Sequence, residues 1–256
     1  MDNQSWAQQE FANANLGDKR RTLRLTRLAE QRCSHPRSHP QASFSQACGN
    51  NAETKAAYRF YENNSISNSA ILSSHQQATQ TRMSQESIIL AIQDTTELDY
   101  THHPATKGLG VMHDKEHHGL MMHTTIAVTP QRVPLGIIHQ RSRPEKDFGK
   151  KHKRKQRPIN EKESQRWLTS LEVTSNLSKQ IPQTTIVNVG DREADIYDLF
   201  MLFMLSETLS QHMLIRACVD TCLLGSLGCT SRALPLVIYG NPTRYWQINH
   251  NSSSQR

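Results

Sequence analysis

The spacing of apolar and polar residues changes character twice along this chain, near residue 87 and again after residue 217. Residues 1 to about 82 read as helical, with polar breaks and few β-branched runs. Between Lys19 and Arg32, Leu25, Leu28 and Ala29 supply an apolar stripe, while Lys19, Arg20, Arg21, Arg24 and Arg27 supply a cationic surface. Asp18 stands where an N-cap is expected. Segments around Glu53 to Tyr61 and Asn68 to Arg82 complete a small bundle. His35-Pro-Arg-Ser-His-Pro40 reads as a loop, because each proline disfavours helix at the residue before it.

From about Ser87 the pattern becomes strand-like. Ile88 to Gln93, Met121 to Val128 and Val133 to His139 are three candidate strands, the last two joined by a tight Thr129-Pro-Gln131 turn that predicts a hairpin. A helix follows. Asn160 with Glu163 forms a capping-box-like start, and Trp167, Leu168 and Leu171 give an apolar face. Thr185 to Val189 then reads as strand, Glu193 to about Leu209 as helix and His212 to Ala217 as strand. The class is therefore α/β: an all-helical N-terminal region, then a mixed sheet flanked by helices. Three antiparallel strands followed by parallel crossovers are the order of an RNase H-like core, here incomplete.

Residues 218–256 have no sustained period, no lysine and no glutamate, yet hold three of the five cysteines, Cys218, Cys222 and Cys229. Two readings of this tail compete: a translation frame shifted after about Ala217, or a diverged linker. The net charge of +7 favours an anionic partner, most commonly nucleic acid for a basic chain. No run of 18 apolar residues exists and Met1-Asp-Asn-Gln-Ser is unlike a signal peptide, which predicts a cytoplasmic protein with no membrane partner. Leu199 to Leu205 is too short to span. An odd number of cysteines without a C-x-x-C pair fits free thiols in a reducing compartment.

Two apolar runs end on acids. Val187-Asn-Val-Gly-Asp191-Arg-Glu-Ala-Asp195 and Ile88-Ile-Leu-Ala-Ile-Gln-Asp94-Thr-Thr-Glu97 each place an aspartate at the expected C-terminal end of a strand. Two such carboxylates can share a hard divalent cation, and two-metal phosphoryl chemistry needs ions about 4 Å apart on oxygen ligands. Taken singly, each aspartate is more simply a cap, Asp94 for a turn and Asp191 for a helix. Strand ends of one open sheet, however, are where α/β folds place ligands.

Five words of sequence occur together: Leu16-Gly-Asp-Lys-Arg-Arg21, Ala57-Tyr-Arg-Phe60, Ile92-Gln-Asp-Thr-Thr96, Asp191-Arg-Glu-Ala-Asp-Ile196 and Leu214-Ile-Arg216. In these words, their order and their spacing, residues 1 to 217 resemble the DDE transposases of bacterial insertion sequences, most closely the IS-four group that contains the transposon-five enzyme. The resemblance implies an RNase H-like core in which Asp94 and Asp191 hold Mg²⁺ or Mn²⁺, the metals that activate water and then a 3′-hydroxyl. It implies DNA contacts near the active site for Arg192 and Arg216. It also implies a DNA-end recognition surface of Arg20, Arg21, Arg24, Tyr58 and Arg59. For Tyr58 and Phe60 the alternative is bundle core, which Phe60 favours.

The family's third carboxylate, a glutamate in a tyrosine, arginine, glutamate, lysine signature, has no counterpart here. Glu97, three residues past Asp94, cannot replace a ligand from a separate helix, so the metal site is expected to be weak or incomplete. The run from Lys146 to Arg157, with Lys150, Lys151, Lys153, Arg154 and Lys155 at its centre, is either a solvated loop or a contact for the DNA backbone. His113, His117, His118 and His123 crowd one region, but the nearby Gly108, Gly110 and Gly119 argue against a helix that would gather them on zinc. The expectation is a truncated transposase: residues 1–82 a helical DNA-binding domain, 83–217 a partial catalytic core, 218–256 an aberrant tail. Its partner is double-stranded DNA at transposon ends. A non-catalytic end-binding protein, or an inhibitor that partners full-length transposase, shares every residue up to Ala217 and remains the alternative.

Overall fold

The computed structural model describes residues 5–38, 43–112, 116–143, 165–205, 211–216 and 236–239, with backbone alone for 33–38, 143 and 236–239. The chain divides into two compact units, Met1–Thr81 and Arg82–Arg256. Helices α1 (Trp6–Phe11), α2 (Lys19–Ser38), α3 (Phe44–Cys48), α4 (Asn51–Tyr61) and α5 (Asn68–Met83) make up the first, α5 ending just inside the second. Helices as short as α1, α3 and α4 need caps and packing to persist. Ser5 with Gln8 and Ser43 with Gln46 close capping boxes on α1 and α3, and Asn50 accepts the Glu53 amide at 2.9 Å on α4. Asp18 takes its expected place, accepting the Arg20 amide at 2.9 Å. That bond and the adjacent Arg20 side chain hold its carboxyl below the usual pKa.

Leu25 and Leu28 of α2 are buried with Ala14, Leu16, Cys48, Ala57 and Phe60, so the apolar stripe of α2 faces the core of the unit and Phe60 belongs to that core. Tyr58 does not; it is exposed. Two features differ from the sequence reading. Helices α1 and α3 are absent from it, because five or six residues are too few to show a period. Helix α2 runs through Ser38, across the start of the expected His35–Pro40 loop. Proline's fixed φ is itself helical, and one lost hydrogen bond in the last turn is a local penalty on a 20-residue helix packed along its length. Residues 39–42 lie outside the described residues.

Among its described residues the second unit is built on one seven-stranded sheet. Its strands are β1 (Ile88–Asp99), β2 (Gly110–Val111), β3 (His118–Val128), β4 (Pro134–Arg143), β5 (Thr185–Gly190), β6 (Gln211–Arg216) and β7 (Leu236–Tyr239). Their order is β2-β3-β1-β5-β6-β7, with β4 also paired to β3. Strands β1, β3 and β4 are antiparallel neighbours, β5 runs parallel to β1 and β6 parallel to β5. Helix α6 (Gln165–Gln180) lies between β4 and β5 in the chain, and α7 (Tyr197–Leu205) between β5 and β6. An all-helical region followed by a mixed sheet flanked by helices, in this order, is consistent with an α/β RNase H-like arrangement. Strand β7 lies in the tail that showed no period; four residues are too few to reveal one, and they pair antiparallel with β6.

Alternation along the strands assigns the two faces. Ile89, Ala91 and Gln93 of β1, His123, Thr125 and Ala127 of β3, Ile186 and Asn188 of β5, and Gln211, Met213 and Ile215 of β6 are buried. Their apolar members pack with Trp167, Leu168, Leu171 and Ile181 from α6 and its end, and with Leu199, Phe200 and Phe203 of α7. On the opposite face Ile88, Ile92 and Ile126 are exposed. The helix expected from Glu193 is broken: a 3-10 turn over Arg192–Ala194 ends at Asp195, and α7 starts only at Tyr197. Residues 206–210, the expected end of that helix, lie outside the described residues.

Candidate nucleic-acid interface and metal centre

In the first unit, α2 sets its cations at intervals of a helical turn. Arg20, Arg24 and Arg27 share one face, because residues four and three apart lie over one another. Arg20 is exposed and pairs at 3.1 Å with Asp18, its own N-cap. Arg21 is half-buried and donates from Nη1 to the Leu16 carbonyl at 2.9 Å. This bond holds the turn at Gly17, whose φ of 75° is left-handed and favours glycine. Arg24 pairs with Glu53 of α4 at 2.6 Å, and Arg27 pairs with the other oxygen of the same carboxylate at 2.8 Å. Tyr58 and Arg59 are exposed on the last turn of α4, with the Tyr58 ring 5.1 Å from that of Phe44. Sequence reading missed the role of Glu53. Its signal was present, since Glu53, Ala57 and Phe60 fall on one face of α4 and two of these are core.

In the second unit the sheet register gathers the named residues. Ile92 pairs with Val189, and Val189 with Leu214, across the parallel strands β1, β5 and β6. Two residues further along each chain segment stand Asp94 within β1, Asp191 one residue past the end of β5, and Arg216 as the last residue of β6. The extended chain therefore sets Asp94, Asp191 and Arg216 in one row, on the face away from α6 and α7, at the C-terminal edge of the parallel strands. All three are exposed. One expectation is corrected: Asp94 does not end its strand, which continues to Asp99. Beyond Ile92, β1 loses its β5 partner but keeps β3, pairing Asp94 with Thr124 and so on to Asp99 with Gly119.

Each aspartate engages one oxygen locally. Asp94 Oδ1 accepts the Thr95 amide at 2.7 Å, and Asp191 Oδ1 accepts the Glu193 amide at 2.9 Å. Glu193 in turn pairs with Arg166 at 3.1 Å, which ties the turn after β5 to the start of α6. Arg192 is exposed on that turn. Gly190, just before Asp191, has no room for a side chain: an added Cβ would lie 2.6 Å from the Ala194 Cβ and 2.9 Å from Ile215 Cδ1.

On the helix-covered face of the sheet is a buried polar layer that sequence reading also missed. Thr174 Oγ1 donates to Asn188 Oδ1 at 2.7 Å, Gln211 Nε2 donates to Thr174 Oγ1 at 3.1 Å, and Ser175 Oγ donates to Gln211 Oε1 at 2.9 Å. Thr125 donates to Ser170 at 3.0 Å. The His123 ring is 4.6 Å from that of Trp167, with Nδ1 2.9 Å from Thr95 Oγ1. Burial, with smaller contributions from Arg166 and His139, pushes the His123 pKa down to about 3. Polar residues at inward strand positions, Gln93 and Asn188 above all, were the available signal.

The donor set suits a hard cation in kind and falls short in number. Two exposed carboxylates on neighbouring strands supply oxygen ligands of the right chemistry. Among the described residues no cluster of three or more His, Cys, Asp or Glu side chains is placed to hold a metal ion. His118 and His123 lie on β3 and His117 just before it, whereas His113, Lys150, Lys151, Lys153, Arg154 and Lys155 lie outside the described residues, as do Cys218, Cys222 and Cys229. No helix among the described residues is long and apolar enough to cross a membrane.

A protein-family model described as transposase DNA-binding matches residues 3–66. The match covers α1 to α4 and includes Arg20, Arg21, Arg24, Tyr58 and Arg59. It supports a transposase, and a transposase-related DNA-binding role with DNA as the partner.

Proposed function

We propose that this chain is a DNA-end-binding protein of transposase descent, allied to the IS-four group. Its second unit carries two of the three carboxylates that strand transfer requires. The match of residues 3–66 to a transposase DNA-binding model carries the reading. The row of Asp94, Asp191 and Arg216 supports the catalytic ancestry, since it joins two cation ligands to a guanidinium suited to a phosphate or strand end. Asp94 and Asp191 would hold one Mg²⁺ or Mn²⁺ weakly. The chemistry such a cation supplies is Lewis-acid activation of water or a 3′-hydroxyl toward a phosphodiester. With no third carboxylate, the 256-residue chain binds double-stranded DNA at transposon ends but neither cleaves nor joins it.

A Mn²⁺ cleavage assay on transposon-end duplexes, run beside a binding assay on the same duplexes, tests both halves. The expected result is binding without nicking, for the chain and for its Asp94→Ala and Asp191→Ala variants alike. Nicking that both substitutions abolish would overturn the inactive reading, and absence of binding would overturn the rest.

A further inference from the structure

Glu53 is an acid on a surface otherwise read as cationic. Only 13% of its side chain is exposed, and it sits one turn before the core residue Ala57 on the inward face of α4. Its two oxygens take different partners, Arg24 Nη1 on Oε2 at 2.6 Å and Arg27 Nη2 on Oε1 at 2.8 Å, and Gln31 Nε2 is 3.5 Å from Oε2. Three successive turns of α2 thus converge on one carboxylate. Arg24 and Arg27 keep 31% and 58% of their side chains exposed while each is tied to Glu53.

We propose that Glu53 is a positioning residue for DNA reading, and that Arg27 belongs beside Arg24 among the residues that touch DNA. The proposal rests on the reading of this unit as a DNA-end binder. Two guanidinium groups side by side repel, and free arginine side chains lose much rotamer freedom on binding. A carboxylate between them removes the repulsion and fixes their separation and orientation before DNA arrives. A guanidinium held this way presents its remaining N–H donors as a fork, the geometry that reads guanine in the major groove. A mobile one contributes mainly salt-dependent attraction to phosphates. Glu53 therefore trades bulk affinity for selectivity.

The two effects separate experimentally. A duplex selected from a randomised library by the wild-type chain serves as the preferred probe, and a scrambled duplex of the same composition as the other. For Glu53→Gln, selectivity between them is expected to fall about tenfold or more while affinity for the scrambled duplex holds or rises, the salt slope steepening as one negative charge leaves the surface. Arg24→Lys with Arg27→Lys, which keeps both charges and loses the forks, should lose selectivity with an unchanged salt slope, and tests the same idea should Glu53→Gln fold poorly. Equal weakening on both duplexes would mark Glu53 as a mere strut between α2 and α4 and overturn the proposal, as would unchanged selectivity in both variants. A wild-type chain that selects no preferred duplex would overturn this proposal and the end-binding reading together.

Discussion

His123 shows what one buried ring costs a basic protein in acid. It stays neutral against Trp167 because burial disfavours the charged form and pushes its pKa down to about 3, from an ordinary value near 6.5. His139, on the neighbouring strand, is shifted the same way by burial and by Arg141. A lowered histidine pKa means that the unfolded chain takes the proton first. The stability from His123 is therefore complete above about pH 6.5 and drains away as pH falls toward 3, by up to about 1.4 kcal/mol per pH unit. His123→Gln should flatten this limb of a stability–pH curve measured by urea unfolding. An equally steep decline in the variant would assign the acid sensitivity to other groups.

At the scale of elements, α6 meets the sheet through polar contacts as well as apolar ones. Thr174→Val keeps the shape of the side chain and removes the hydroxyl that serves both Asn188 and Gln211. Leaving buried polar atoms unpaired costs about 1–3 kcal/mol, so the denaturation midpoint should drop accordingly. A Thr174→Val variant as stable as wild type would show that the layer contributes nothing net. The same elements show what was legible in the sequence. Strands β1, β3, β4, β5 and β6 and helix α6 were readable because apolar runs of that length leave few alternatives. The end of β1 was not, because Asp94 to Asp99 hold a single apolar residue, Leu98, too little for a signal, and are held in the strand by β3 alone. Asp94 and Asp191 were legible as acids after apolar runs, but their alignment with Arg216 is a property of register. Glu53 was legible as an inward position of α4, but its pairing was not, because its partners are remote in sequence and lie on another helix.

For the whole molecule, charge is the quantity that matters most. The net +7 is unevenly placed, with a dense basic run from Lys146 to Arg157 that lies outside the described residues. If this run contacts the DNA backbone, replacing its seven cations with glutamine reduces the slope of log affinity against log salt by about 0.9 for each lost phosphate contact. Fluorescence anisotropy on a duplex of random sequence measures this, and an unchanged slope removes the run from the interface. The effect should be uniform across sequences, since backbone contacts carry no direct sequence information. Arg24 and Arg27 are expected to behave in the opposite way, with selectivity rather than salt dependence at stake.

The alignment of Asp94, Asp191 and Arg216 also bears on how such a chain can change over generations. Nothing in the molecule measures the number of residues between one aspartate and the next; what counts is each strand's phase relative to its neighbour. A change of length in a connection between strands leaves that phase untouched. A single-codon deletion inside β1 or β5 turns every following side chain of that strand to the other face, forcing an acid where Gln93 or Gly190 now sits. Lineages of this protein should therefore vary in loop length and hold strand phase fixed.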